Sequence, residues 1–257
     1  MINRRQFSAL GASITAASLM SVAAARAATG KGTEAAASNV VLVHGAYADG
    51  SSWSKVVPLL QEAGLRVTSV QNPLTSLADD VEAVRFALSR QDGPTVLVAH
   101  SYGGAVISEV GLAENVTGLV YVAARAPEAG EDYAALSAAY PTPPVTSGVV
   151  SSEGFKWLSQ DAFLRDFANG VPHKEALALY AAQGLLSTAA PTTSTAAWRE
   201  KPSWYAVSRN DRTIDPGLQR FMAQRMKATT VEVEAGHLSL ITHPRQIARL
   251  ILAATAA

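Results

Sequence analysis

The chain reads as an α/β protein, with a mostly parallel sheet flanked by helices and a small helical insertion over it. Three observations predict this. Short apolar runs recur and end in Gly or polar turns, as strands covered on both faces do. Segments with helical spacing separate those runs. The alternation stops near Pro127 and resumes after Pro202. At 257 residues and 48% hydrophobic, the chain is long enough for one well-buried core.

The N-terminus precedes the fold. Asn3-Arg4-Arg5-Gln6-Phe7 is a twin-arginine pair followed by a large apolar residue. A weakly apolar Ala/Ser/Thr run follows to Ala25, and Ala25-Arg26-Ala27 offers a small-x-small cleavage pattern. Residues 1–27 thus resemble a bacterial twin-arginine signal peptide, which predicts a periplasmic or secreted protein handled by the twin-arginine export machinery. The run is short and poor in Leu and Ile, so no stable membrane anchor is expected. Residues 28–38 read as a flexible mature end, and residues 39–257 as the folded domain.

Asn39 to Val43 is the first buried strand, ending in His44-Gly45. Trp53 to Ala63 has helical spacing, stopped by Gly64. Leu65 to Val70 is the next strand. Ser76-Leu77-Ala78-Asp79 is a capping box opening a helix to about Arg90. Thr95 to Ala99 is a strand, Tyr102 to Leu112 a helix, and Val116 to Ala123 a strand. From about 127 to 202 no clear strand is predicted. Prolines punctuate short helical patches there, and aromatics such as Phe163, Phe167 and Trp198 accumulate. Beyond this cap, Ser203 to Ser208 and Thr230 to Glu234 read as strands. Pro216 to Met226 reads as a helix with Pro at its start, and Pro244 to Ala254 as the terminal helix.

Composition excludes some functions. Lys and Arg number 21 and so do Asp and Glu, which gives no reason to expect a nucleic acid partner. Without cysteine there is no disulfide, thiolate metal site or Cys nucleophile.

The chemistry concentrates at strand ends. Ala99-His100-Ser101-Tyr102-Gly103-Gly104 joins a predicted strand to a predicted helix. Small residues two before and two after the Ser let the backbone turn sharply and expose the hydroxyl. Ala99 stands where the usual pattern has Gly. The following helix points amide donors at the site. The backbone N–H groups of Ala46, after Gly45, and of Tyr102 are the candidate oxyanion donors. A Ser hydroxyl needs a base. His237, in the loop after the last strand, lies on the same sheet edge as Ser101. His44 and His100 read as structural, His173 lies in the cap, and His243 reads as a cap for the last helix. The base needs an acid. Asp211 follows a strand, whereas Asp215 precedes Pro216 and is explained as an N-cap. Glu128 is the next candidate. The resulting order along the chain is Ser101, Asp211, His237.

These motifs, together with Leu42 to Ala46 through Trp53 and His243-Pro244, resemble the α/β-hydrolase superfamily. Within it they resemble the methylesterase and hydroxynitrile-lyase-like branch, which includes bacterial esterases. The resemblance implies an eight-stranded sheet, a small cap, and hydrolysis of a small-molecule ester without cofactor; no metal is expected, and the aromatic-rich insertion suggests that the ester carries an apolar group. It implies the same triad and the same oxyanion donors. Lyase members carry Thr in place of Gly45 and Lys in place of Leu238, which counts against cyanohydrin chemistry. Two other readings remain: a same-triad lyase or perhydrolase, and a non-catalytic small-ligand-binding protein.

Overall fold

The computed structural model describes residues 36–189 and 192–257. The twin-arginine segment, its cleavage site and the mature end up to residue 35 lie outside the described residues. Ala36 to Ser38 run along the folded body, where the Ala37 amide donates to the Thr255 carbonyl at 2.9 Å.

The first half of the chain alternates as its sequence predicts. β1 (Asn39–Val43), α1 (Val57–Glu62), β2 (Arg66–Val70), α2 (Leu77–Ser89), β3 (Thr95–His100), α3 (Gly103–Val110) and β4 (Val116–Val122) follow in order. Ser76 caps α2 by accepting from the Asp79 amide. The predicted helix from Trp53 is broken into a 3-10 turn, Gly50–Trp53, and α1, which begins where Pro58 fits the first turn.

The insertion contains strands that were not predicted. After α4 (Tyr133–Ala138) come β5 (Val149–Ser152) and β6 (Phe155–Leu158). α5 (Gln160–Ala162) runs into a π-helical turn at Phe163–Phe167, and α6 (His173–Ala181) and β7 (Leu186–Ser187) complete the cap. β5, β6 and β7 form a separate antiparallel sheet. The β5–β6 hairpin turns on Glu153 and Gly154, both with positive φ (49° and 81°), which is the backbone of a tight two-residue turn. Four-residue strands, β5 wholly exposed, leave too little alternation for a sequence signal.

The chain returns to the body with β8 (Ser203–Ser208), α7 (Pro216–Arg225), β9 (Thr229–Val233), α8 (Ser239–Thr242) and α9 (Pro244–Thr255). Among the described residues the main sheet has six strands, not the eight implied by the resemblance. Its order is β2-β1-β3-β4-β8-β9, and every pairing is parallel.

Strand residues alternate between two cores. Val41 and Val43 of β1 join the cluster of Val84, Ile107, Leu218 and Met222 from α2, α3 and α7. Val40 and Leu42 join Trp53, Leu60, Ile247 and Ile251 from the α1 and α9 side. Fully burying one such aliphatic side chain contributes about 2 kcal/mol, and this fixes each strand's face. After β1 the chain goes to β2 on one side, then crosses to β3 on the other. The C-terminal ends of β1 and β3 therefore flank a topological switch point, where parallel sheets hold their ligands. No helix among the described residues is long and apolar enough to cross a membrane.

Candidate active site

Ser101 sits on the turn between β3 and α3 with φ of +54°, a conformation costly for a residue with a Cβ. The surroundings hold it there. Its amide donates to the Val122 carbonyl at 3.2 Å. Its carbonyl accepts from the Gly104 amide at 3.1 Å and the Arg125 amide at 2.9 Å. Two glycines make room for the turn. A Cβ on Gly45 would fall 2.7 Å from Ser101 Cβ, and one on Gly103 would fall 2.7 Å from the His44 carbonyl oxygen. The helix opens at Gly103, with Tyr102 as its N-cap residue, one position later than predicted.

The loops after β3, β8 and β9 bring the three sequence-predicted residues together. His237 Nε2 lies 2.9 Å from Ser101 Oγ, and His237 Nδ1 lies 2.7 Å from Asp211 Oδ2. A carboxylate facing Nδ1 requires the proton on that nitrogen, which leaves Nε2 to accept from the serine hydroxyl. The other Asp211 oxygen accepts from the amides of Thr213 (2.7 Å) and Ile214 (3.0 Å). Asp215 accepts from the amides of Gly217 and Leu218 as the N-cap of α7, the role its sequence position predicts. Glu128 is paired with Arg199 instead. All three members are nearly covered: Ser101 is 6% exposed, Asp211 7% and His237 0%.

The neighbouring histidines act as structure. His100 Nε2 donates to the His237 carbonyl at 3.1 Å, and its ring lies 4.6 Å from the His237 ring. Burial, and next the charge of His237, holds His100 well below the usual histidine range. Burial also lowers His44. Both are thus held neutral beside the base. His173 opens α6 in the cap. His243 occupies the N-cap position of α9 but makes no side-chain capping bond. Its Nδ1 pairs with its neighbour Thr242 Oγ1 at 2.9 Å, which satisfies the ring locally.

The amides of Ala46 and Tyr102 donate to no backbone carbonyl among the described residues, so both donors are uncommitted. Tyr102 is anchored from its other end. Its hydroxyl donates to Asp80 Oδ2 at 2.7 Å, and Asp80 Oδ1 accepts from the Leu74 amide at 2.7 Å. Burial raises the Asp80 carboxyl above its ordinary range, and burial followed by the Asp80 charge does the same for the Tyr102 phenol.

Several contributors were not singled out from the sequence. Gln219 is fully buried on α7. Its Nε2 donates to Asp211 Oδ2 (2.7 Å) and to the Ile214 carbonyl (2.9 Å), while its Oε1 accepts from the Ser208 amide (2.9 Å). The signal was a lone Gln between Leu218 and Met222 on the inward face of a helix. Asn169, in the cap, donates to the Asn210 carbonyl at 2.9 Å and accepts from the His237 amide at 3.4 Å. No sequence signal marks that contact.

An apolar slot adjoins the site. Tyr47, Phe163, Phe167, Leu179, Leu238 and Ile241 are among its lining, and it holds about 10 Å³, barely the room for one water. The Phe167 ring lies 5.2 Å from the His237 ring. Not every cap aromatic serves this slot: Trp198 is buried in the sheet core and donates to the Pro127 carbonyl. Among the described residues no cluster of His, Asp and Glu is arranged to hold a metal.

Chemically, a hydroxyl bonded to a neutral imidazole can lose its proton as it attacks a carbonyl, and a buried carboxylate stabilises the imidazolium that forms. The chain is similar to several known proteins. An alpha/beta hydrolase of Aspergillus novofumigatus is 26% identical over 238 residues, covering 82% of this chain and 94% of that one. A pyrethroid hydrolase of Sphingobium wenxiniae is 33% identical over 99 residues, or 34% of this chain and 35% of that one. The solved structure of polyneuridine aldehyde esterase superposes with a TM-score of 0.74 at 17% identity, covering 84% of this chain and 98% of that one. The model of the alpha/beta hydrolase family matches residues 40–250, from the first strand through the last helix and across Ser101, Asp211 and His237, and the chain belongs to that family.

Proposed function

We propose that the protein hydrolyses carboxylic esters through an acyl-enzyme formed on Ser101. One observation carries this reading: the unbroken chain from Ser101 through His237 to Asp211. His237 takes the Ser101 proton as Oγ attacks the ester carbonyl. The amides of Ala46 and Tyr102 receive the developing oxyanion. His237 then passes the proton to the leaving alcohol. Water, deprotonated by His237, attacks the acyl-enzyme and releases the acid, and the proton returns to Ser101. The aromatic slot beside His237 supports an apolar group of methyl size at most next to the reacting carbonyl, since it holds only about 10 Å³. Gly45 and Leu238 support the esterase side of the methylesterase and hydroxynitrile-lyase-like branch. Arg4-Arg5 and Ala25-Arg26-Ala27 support action after export. Replacing both arginines with Lys should hold the protein in the cytoplasm, and unchanged periplasmic yield would remove that part of the reading.

The test is labelling and turnover together. An organophosphonate ester mimics the tetrahedral intermediate and should modify one peptide, the one containing His100-Ser101-Tyr102. The label should be lost in His237→Ala. Wild-type protein should turn over p-nitrophenyl esters, and Ser101→Ala should not. Undiminished turnover by Ser101→Ala, or labelling elsewhere, would defeat the mechanism. Labelling of Ser101 with no turnover would favour the ligand-binding reading.

A further inference from the structure

A second cavity is joined to the site through Arg125. An open groove of about 590 Å³ runs under the cap, between the end of β4 and β6, with Arg125, Tyr133, Thr146 and Lys156 among its lining. Arg125 joins it to the triad: the Arg125 amide donates to the Ser101 carbonyl at 2.9 Å. The Arg125 guanidinium carbon stands 4.6 Å from the centre of the Tyr133 ring and 5.9 Å from that of Tyr102. Its charge also reaches Tyr47, next to the candidate oxyanion donor Ala46.

The charges in this groove are unevenly committed. Glu131 is paired with Arg225, at 2.6 Å and 3.0 Å to its two carboxylate oxygens. Asp132 accepts from the amides of Ala134 and Ala135 at the start of α4. The two cations have no such partners. Among the described residues no carboxylate pairs with Arg125 or Lys156, and Arg125 Nε is buried without an acceptor. Burial, and next the charge of Arg125, holds Lys156 below the ordinary lysine range. Two like charges, half-buried and facing one groove, oppose each other until an anion joins them.

We infer that Arg125 and Lys156 form a subsite for a carboxylate carried by the ester substrate, one cation from the sheet body and one from the cap. This rests on the reading of Ser101 as an ester-cleaving nucleophile. The Arg125 guanidinium lies over the Tyr133 ring, and its terminal N–H donors can bind a carboxylate in a fork. Lys156, on β6 of the cap, adds a compact charge to the same groove. The substrate then has two unlike ends, a methyl-sized apolar group towards the slot of Phe163 and Phe167 and an anionic group in the groove. The chemical class is a half-ester of a short dicarboxylic acid.

Binding and turnover test the two readings separately. Ser101→Ala protein is titrated by calorimetry with monomethyl glutarate and with methyl pentanoate, which has nearly the same shape but no charge. The monoester should bind about tenfold more tightly, and 0.5 M salt should shrink the difference. In the Ser101→Ala background, Lys156→Gln should reduce the preference and Lys156→Glu should abolish it. Arg125→Gln should lose most of the preference, while Arg125→Lys retains part of it. In wild-type protein, kcat/KM for p-nitrophenyl hemiglutarate over p-nitrophenyl pentanoate should show the same ratio. Equal binding of the two methyl esters would overturn the subsite even if both p-nitrophenyl esters are cleaved. Cleavage of neither p-nitrophenyl ester would overturn the hydrolase reading, and the titration would still decide the subsite.

Discussion

The sheet edge and the cap both surround Ser101, but they are built to different standards. On the edge, each triad residue is buried, and Asp211 is fixed by the amides of Thr213 and Ile214 in its own turn. The cap is made of strands of two to four residues, with β5 exposed along its length. It reaches the body through one buried apolar seam, where Leu158, Phe163 and Phe167 join the core of α1 and α9, and through polar ties from Asp166 to Arg212, Asn169 to Asn210, and Lys55 to Glu175. The difference assigns the roles. Pre-organised groups lower a reaction barrier only if they do not move. A layer whose outer strands are short and exposed can vary what it admits without disturbing them. Substitutions at the edge should therefore change kcat, and substitutions in the cap should change KM and substrate choice.

The largest effect belongs to the acid. Asp211→Asn should keep its backbone geometry yet favour the wrong His237 tautomer. It should lower kcat on the order of 10⁴-fold by analogy with the serine-protease triad. Asp215→Asn is the control, because Asn caps a helix about as well as Asp, and its kcat should stay within about twofold. The reverse ranking would transfer the acid's role to Asp215. Gln219→Leu removes a donor to Asp211 and orphans the Ser208 amide. A hydrogen bond to a charged group is worth about 1.5–3 kcal/mol, so kcat should fall by about 10- to 100-fold with KM unchanged. A rise in KM alone would mean that Gln219 supports the fold and not the acid.

Where sequence and structure agree, function sits on local turns with their own chemistry. The small residues around Ser101 and the Gly before His237 mark strand ends, and the Pro after Asp215 marks a helix start. The edge where those ends meet follows from parallel topology. The cap was less legible because its signals are tertiary. The β5–β6 hairpin turns on Glu153-Gly154, a weaker marker than Asn-Gly or Asp-Gly, and its strands are too short for period-two alternation. Gln219 was readable only as a polar residue on an apolar helical face; its partner Asp211 lies eight residues away, and the link needs the turn between them. Arg125 reads as an ordinary residue after a strand. Its meaning comes from Lys156, 31 positions later, and from the acids that do not pair with it. His243 was assigned to helix capping from position alone, but Thr242 is close enough to take the ring first.

The smallest effect tests the cap's ties. Asp166 lies in the π-helical turn of the cap and is fully buried. It accepts from Arg165 Nη2 at 2.8 Å and from Arg212 Nε at 2.8 Å. Arg212 directly follows the catalytic acid in sequence, so this carboxylate clasps the cap to the loop that holds Asp211. Asp166→Asn keeps the shape and removes the charge. The two arginine side chains are 49% and 44% exposed, so water screens and partly replaces what they lose. The expected cost is then about 1 kcal/mol, and not the larger penalty of a pair buried on both sides. For a domain of this size that lowers Tm by about 2–4 °C. With the clasp loosened, KM for an apolar p-nitrophenyl ester should rise by about threefold while kcat holds within about twofold. Glu175→Gln breaks the exposed Lys55 pair, which also joins cap to body, and should change Tm by less than about 1 °C. If Asp166→Asn instead slowed the acylation chemistry about a hundredfold, the division between edge and cap would break. The cap would then hold Asp211 in its working position through Arg212, and the layer that selects the substrate would also set the chemistry.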